Sequence, residues 1–195
     1  MSELHDTTAE PEGNPELFVD FINTVELTDG QPEEHLPDAA SLRDWLHERD
    51  LCGARQPLSA IEGSLPAFRE LRSVLHDTTE RLAAGKRPTA AQLKRLNAAL
   101  RDGLHYHQIK PIDGGSRFTV GQVGDELAQA RASIAGSLAH YLAEHDVTRL
   151  RVCANDGCRW RFIDRSPGGR RRWCDMRTCG NRTNAAAYYR RRRER

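Results

Sequence analysis

Four cysteines fall in the last quarter of the chain, spaced Cys153-x4-Cys158-x15-Cys174-x4-Cys179. Two close pairs joined by a loop are what one tetrahedral ion needs to gather four thiolates, each pair forming a local chelate. Disulfides are the competing use of such cysteines. Nothing marks the chain as secreted, however, and thiols in a reducing compartment stay reduced. Residues 149–195 also need a staple, because this 47-residue segment has too few large apolar side chains to build its own core. One structural Zn²⁺ held by Cys153, Cys158, Cys174 and Cys179 is therefore expected. With all four positions taken by protein, none is left to activate water, so the metal is expected to be structural and not catalytic.

Charge divides the chain at the same place. Residues 149–195 carry 15 Arg against 4 acids, a balance of +11, whereas residues 1–148 carry 14 Lys/Arg against 24 Asp/Glu, a balance of −10. Opposite signs in two parts point to a division of labour in which the basic part meets a polyanion. No apolar stretch reaches the roughly 18–20 residues of a membrane span, and the opening residues lack the pattern of a signal peptide. A soluble protein of the cytoplasm, without membrane contact, is the expectation.

The fold expected is mainly α (α+β). Residues 1–13 read as a disordered tip, 14–147 as a helical regulatory domain with a small β-hairpin, and 148–195 as the zinc module. Asn14-Pro15-Glu16 announces a first helix carrying Leu17, Phe21, Ile22 and Val25, closed by Asp29-Gly30. A second spans Asp38 to Asp50 with Leu42, Trp45 and Leu46 on one side. Pro66 is read as opening a longer helix with Phe68, Leu71, Leu75 and Leu82, ending at Gly85. Thr89-x-x-Gln92 has the form of a capping box ahead of Leu93, Leu96 and Leu100. Residues 104–109 and 117–120 flank Asp113-Gly114-Gly115 as a hairpin. A last Ala-rich helix runs from about Asp125 to Glu144.

Within the zinc module, Arg159-Trp160-Arg161-Phe162-Ile163 alternates as a strand out of the first cysteine pair. Pro167-Gly168-Gly169 turns the chain, and Thr178 to Arg195 should be helical with Cys179 in its first turn. Knuckle, hairpin and helix together are treble-clef-like. At 100° per residue, Thr183, Ala186 and Arg190 fall on the metal side of that helix, with Arg182, Tyr189 and Arg193 close by. Asn184, Tyr188, Arg191 and Arg195 fall opposite, beside Asn181 and Arg192. Amide, phenol and guanidinium groups are those that hydrogen-bond base edges and grip phosphates. The nucleic-acid candidates are thus Asn184, Tyr188, Arg191, Arg192 and Arg195, with the basic loop Arg170, Arg171 and Arg172 on phosphates. DNA is favoured over RNA, although charge alone does not separate them.

Cys179-Gly180-Asn181-Arg182 resembles the defining tetrapeptide of the CGNR zinc-finger proteins, and Cys153, Cys158 and Cys174 fall where that family places its other ligands. Phe18-Val19-Asp20-Phe21-Ile22-Asn23-Thr24 is similar to the opening motif of the ABATE domain that often precedes this finger. Together the resemblance spans nearly the whole chain. It implies a bacterial stress-induced transcription regulator whose finger binds DNA and whose N-terminal domain senses a ligand; the acidic helical domain is read as a sensor or dimerisation module.

Other groups carry less. Asp20, Asn23 and Thr24 lie within about one helical turn and form a candidate ligand pocket; a polar anchor for a neighbouring loop is the simpler use of such residues. His105 and His107 share a strand face but have no clear carboxylate partner, and Cys52 is isolated. No nucleophile–base set, phosphate-cradling Gly loop or paired-carboxylate motif stands out, so no enzymatic activity is expected. The rival to a DNA reader is a zinc-stabilised interaction adaptor, or an RNA-binding protein. In the adaptor case the basic finger could dock an acidic partner or the chain's own acidic domain. A homodimer and a small-molecule effector complete the expected partners.

Overall fold

The computed structural model describes residues 14–28, 30–53, 55–112, 114 and 117–193. The expected disordered tip 1–13, much of the Asp113–Gly115 turn and Arg195 lie outside the described residues. Among those described, helix dominates and each sheet is a two-stranded antiparallel hairpin, as a mainly α reading requires.

The first helix is shorter than its apolar spacing suggests. Helix α1 covers Leu17–Ile22, and Val25 belongs instead to strand β1, Val25–Thr28, which pairs with β2, Gln31–Glu34. Gly30, at φ +83, thus lies between two strands and does not follow a longer helix; Asp29 lies outside the described residues. Arg72 fixes this hairpin to the helical body. Its guanidinium donates to Thr24 Oγ1 at 2.7 Å and to Glu34 Oε1 at 2.9 Å.

Helix α2, Ala39–His47, starts on an Asp38–Ser41 capping box and buries Leu42, Trp45 and Leu46. Helix α3, Leu58–Ala83, corrects the sequence reading: it begins at Leu58 after Pro57, and Pro66 lies inside it. An interior proline forfeits a backbone hydrogen bond at a cost of about 3 kcal/mol. The helix continues because Ile61, Phe68 and Leu75 repeat every seven residues along one buried stripe, each at most 1% exposed. Helix α4, Ala90–Asp102, starts on the expected Thr89–Gln92 box. Strands β3, Tyr106–Ile112, and β4, Arg117–Val123, form the expected hairpin, and α5, Glu126–Glu144, starts where Asp125 accepts from the N–H groups of Leu127 and Ala128.

Helices α1 to α5 share one core, led by Phe18, Phe21, Leu42, Leu46, Phe68, Ile134 and Leu138. That core does not stop at the basic segment. Leu150, 1% exposed, belongs to it, and Ile163 packs against it. Leu150 opens strand β5, Leu150–Val152, and Ile163 closes β6, Arg161–Ile163; the two residues pair across the third hairpin. The zinc module is therefore seated on the helical body through its own sheet. A wide helical turn, Met176–Gly180, then leads into α6, Asn181–Arg193.

Candidate metal centre and the surface around it

Strands β5 and β6 present the two ends of the first cysteine knuckle. Cys153 N–H donates to Trp160 O at 2.8 Å, and Cys158 N–H donates to Asn155 O at 2.8 Å. Ala154 N–H donates to Arg172 O at 2.7 Å, drawing the returning basic loop over the knuckle and bringing Cys174 to it. Asp175 then caps the turn that delivers Cys179, accepting from Arg177 N at 2.6 Å and Thr178 N at 3.1 Å.

The four sulfurs converge to within 4.8 Å of one another. Cys158 Sγ and Cys174 Sγ are 3.8 Å apart, and Cys174 Sγ and Cys179 Sγ are 3.7 Å apart. A tetrahedron with Zn–S bonds of about 2.3 Å has edges of about 3.8 Å. These separations match that edge and are far longer than a disulfide bond of roughly 2.05 Å. Charge argues the same way. Burial, aided by the neighbouring cysteines, pushes the Cys158 thiol up to about 11 and Cys174 further still. A packed set of thiols of this kind holds all its thiolates only around a cation. The Asn155 amide nitrogen is buried without a geometric hydrogen-bond partner among the described residues and sits beside Cys179, whose thiol it draws down against the effect of burial; it is placed to donate to a thiolate. The residues fit the ion: the four cysteines are the ligand set of one structural zinc.

Around the sulfurs lies a small apolar cluster of Phe162, Trp160 and Trp173. The loop between the cysteine pairs is organised by Asp164, which accepts from Ser166 Oγ at 2.6 Å, Ser166 N at 2.9 Å and Arg171 N at 2.8 Å. The Ser166 hydroxyl, together with those backbone N–H groups, brings this carboxyl down to about 2 despite burial.

The arginines fall into two groups. Arg159 and Arg161 both reach Glu80 on α3, at 2.6 and 2.9 Å, and Arg165 pairs with Glu16. Arg149 donates to Ser166 O at 2.7 Å and lies near Asp146. In contrast, Arg170, Arg172, Arg191 and Arg192 are exposed and have no carboxylate partner among the described residues. Arg171 is exposed too, but its guanidinium bonds Cys174 O and lies over the Phe162 ring, so it also closes the metal loop.

Helix α6 is less embedded than its wheel suggests. Thr183 Oγ1 donates to Cys179 O at 2.8 Å, and there the packing ends. Ala186, Tyr189 and Arg193, expected on or near the metal side, are exposed, as are Asn184 and Tyr188. A wheel gives direction only; beyond the first turn, no element among the described residues stands on that side. The rings of Tyr188 and Tyr189 meet edge-on at 5.6 Å, and Arg192 lies 5.9 Å over Tyr188.

The Asp20, Asn23 and Thr24 group divides. Asn23, buried, accepts from Arg161 N at 2.9 Å and donates to Arg161 O at 2.8 Å. Thr24, also buried, donates to Phe21 O and accepts from Arg72. Asp20 is exposed and accepts from Asn14. His105 and His107 meet edge-on at 5.9 Å on the β3–β4 hairpin. The seam role of Glu80 had no sequence signal, since an isolated acid on a helical face looks like any solvated charge, and Glu16 was legible only as part of the helix start at Asn14-Pro15-Glu16. A second donor group, Glu26, Glu33 and His35, gathers on the β1–β2 hairpin, where His35 and Glu26 approach to 2.9 Å. A cleft of about 500 Å³ runs along the seam, lined from both sides by Glu16, Tyr141, His145, Arg149, Ile163 and Arg165.

A search of curated proteins finds no match to the chain. The CGNR zinc finger family matches residues 149–192. The ABATE family, described as "putative stress-induced transcription regulator", matches residues 16–145. With the four sulfurs gathered at zinc spacing behind that region, the chain belongs to the ABATE family and carries a CGNR zinc finger at its C-terminal side.

Proposed function

We propose that the protein is a bacterial transcription regulator that binds DNA through its zinc-held basic module, with no catalytic step of its own. The supporting observation is the division of the arginines. Those facing the helical body are neutralised by Glu80, Glu16 and Asp146, while Arg170, Arg172, Arg191 and Arg192 stay in solvent without a carboxylate partner among the described residues. This argues against self-masking by the acidic domain. Guanidinium groups without a carboxylate partner among the described residues, interleaved with Tyr188 and Asn184, suit phosphates and base edges. Arg195 belongs to the same proposed surface.

In this reading the N-terminal region is the sensor or dimerisation module, and a small effector would act at the seam cleft, where one occupant touches both parts. The protein would work in the cytoplasm. Among the described residues, no helix is long and apolar enough to cross a membrane.

The test is fluorescence anisotropy on labelled duplex DNA across a salt series. Affinity should fall steeply with salt, with a log–log slope of roughly −0.9 per phosphate contact. The variant Arg170→Ala/Arg191→Ala/Arg192→Ala should retain zinc and lose up to three such contacts. Affinity indifferent to salt, or unchanged in the variant, would overturn the reading. Preference for single-stranded RNA or for an acidic peptide would move it to the rival classes.

A further inference from the structure

The β3–β4 hairpin stands apart from the core. Every residue of β3 is exposed, as is Arg117 to Val120 of β4. Yet the hairpin carries large apolar side chains: Tyr106 is 61% exposed, Ile109 71%, Phe118 67% and Val120 65%, with Leu104 just before it at 77%. A two-stranded ribbon with no packed face is marginal in water and leaves two unpaired edges.

The register sorts these side chains. Ile109 lies opposite Val120 and Pro111 opposite Phe118, so all four share one face with His107. Lys110 lies opposite Thr119 and Ile112 opposite Arg117, which puts both charges on the other face. One face thus gathers Ile109, Pro111, Phe118 and Val120 beside His107 and, among the described side chains, carries no Lys, Arg, Asp or Glu, whereas Tyr106 and Ile112 share the other face with the two charges.

We infer that this hairpin is a homodimerisation arm, covered by a second copy of the same chain. Two quantities favour that occupant. A fully exposed large apolar side chain offers roughly 150–250 Å². At the exposures given, Ile109, Phe118 and Val120 leave roughly 400 Å² uncovered on that face, and Leu104, Tyr106 and Ile112 (39%) leave roughly as much beyond it, so an arm clasped on both faces by a second copy offers roughly 800 Å², which is what each partner contributes to a standard-size interface. An apolar face without charge also meets its own copy without repulsion, and the whole chain carries only +1. Twofold pairing closes the interface, whereas a head-to-tail contact would leave further hairpins open. The inference does not depend on the DNA-binding reading, though it would supply that reading with two basic modules on one particle.

The test is sedimentation equilibrium of the intact zinc-loaded chain without nucleic acid, near 20 µM. Wild type should sediment at twice its 22.0 kDa mass. Phe118→Lys/Val120→Lys should sediment as monomer with zinc content and far-UV signal unchanged, while Leu93→Lys, an exposed apolar position on α4, should remain dimeric. Amide exchange across residues 106–123 should slow as wild-type concentration rises, which tests the contact without any substitution. A monomeric wild type, concentration-independent exchange, or a dimer that survives the double substitution would each overturn the inference while leaving the DNA-binding reading standing. A monomer whose hairpin binds a hydrophobic dye would assign the face to a different partner.

Discussion

The side chain of Asn23 and the main chain of Arg161 hydrogen-bond to each other in both directions, at 2.8 and 2.9 Å, across 138 residues of sequence. The amide thus acts as one more rung on strand β6, joining the end of α1 to the zinc module. Asn23→Ala removes both bonds and strands a buried N–H and C=O, at a cost of about 2–4 kcal/mol. Urea denaturation of the zinc-loaded chain should show that loss in the midpoint. Asn23→Asp keeps the acceptor but sets a buried carboxylate oxygen against Arg161 O, so it should cost at least as much as the alanine.

Much of the architecture was legible because local chemistry and tertiary structure agree. The Thr89–Gln92 box, the Asp125 cap and the alternation around Ile109 and Val120 each specify their element without outside help. The cysteine site was legible for the same reason, since its ligands form two close pairs in sequence. Pro66 misled because a local preference for the first helical turn gave way to the stripe running from Ile61 to Leu75. Val25 misled because one apolar residue at helical spacing carries no information about the turn that follows it. The seam was legible only in part: Asn23 asked for a polar anchor, but nothing named its partner. Asn23, Glu80 and Glu16 acquire their roles only when residues more than 75 positions away arrive beside them.

That seam changes what metal loss should do. The sequence alone suggests that Cys174→Ser unfolds residues 149–195 and spares the helices. The buried position of Leu150 in the main core makes the helices pay too. Uncovering its site and releasing Asn23 should cost the remainder about 3–5 kcal/mol. For a chain of this size that corresponds to a fall in melting temperature of roughly 10 °C. Differential scanning calorimetry with and without a zinc chelator checks it. Helices that melt at an unchanged temperature would mean that the two parts are energetically independent.

Tyr141 sets an alkaline limit. Its ring lies in the core and its hydroxyl donates to Asp146 O at 3.2 Å; burial, reinforced by the nearby Asp146 carboxylate, raises the phenol to about 12. A folded-state value above the unfolded value of about 10 favours the fold while the phenol is neutral. This contribution is complete below about pH 10 and is lost as pH rises towards 12. Tyr141→Phe should therefore lose stability less steeply over that interval, as read by denaturant midpoints at successive pH values. Absorbance at 295 nm should show a phenol titrating near pH 12 in the wild type and not in the variant.

Two glycines should respond to the same substitution with opposite signs. Gly103 follows α4 at an ordinary φ of −84, so its backbone does not require glycine. What requires it is space: a Cβ there would stand 2.2 Å from Ala132 Cβ and 3.1 Å from Ala128 O on α5. The backbone oxygen cannot swing aside, so Gly103→Ala must push the two helices apart, at about 1–3 kcal/mol. Gly63 lies within α3 with nothing inside 4 Å of its notional Cβ. There alanine restricts the unfolded chain and touches nothing, so Gly63→Ala should add about 0.5–1 kcal/mol. Denaturation of both variants with zinc bound measures the pair. A stabilising Gly103→Ala would show that α4 and α5 do not approach as closely as the packing at Ala132 requires.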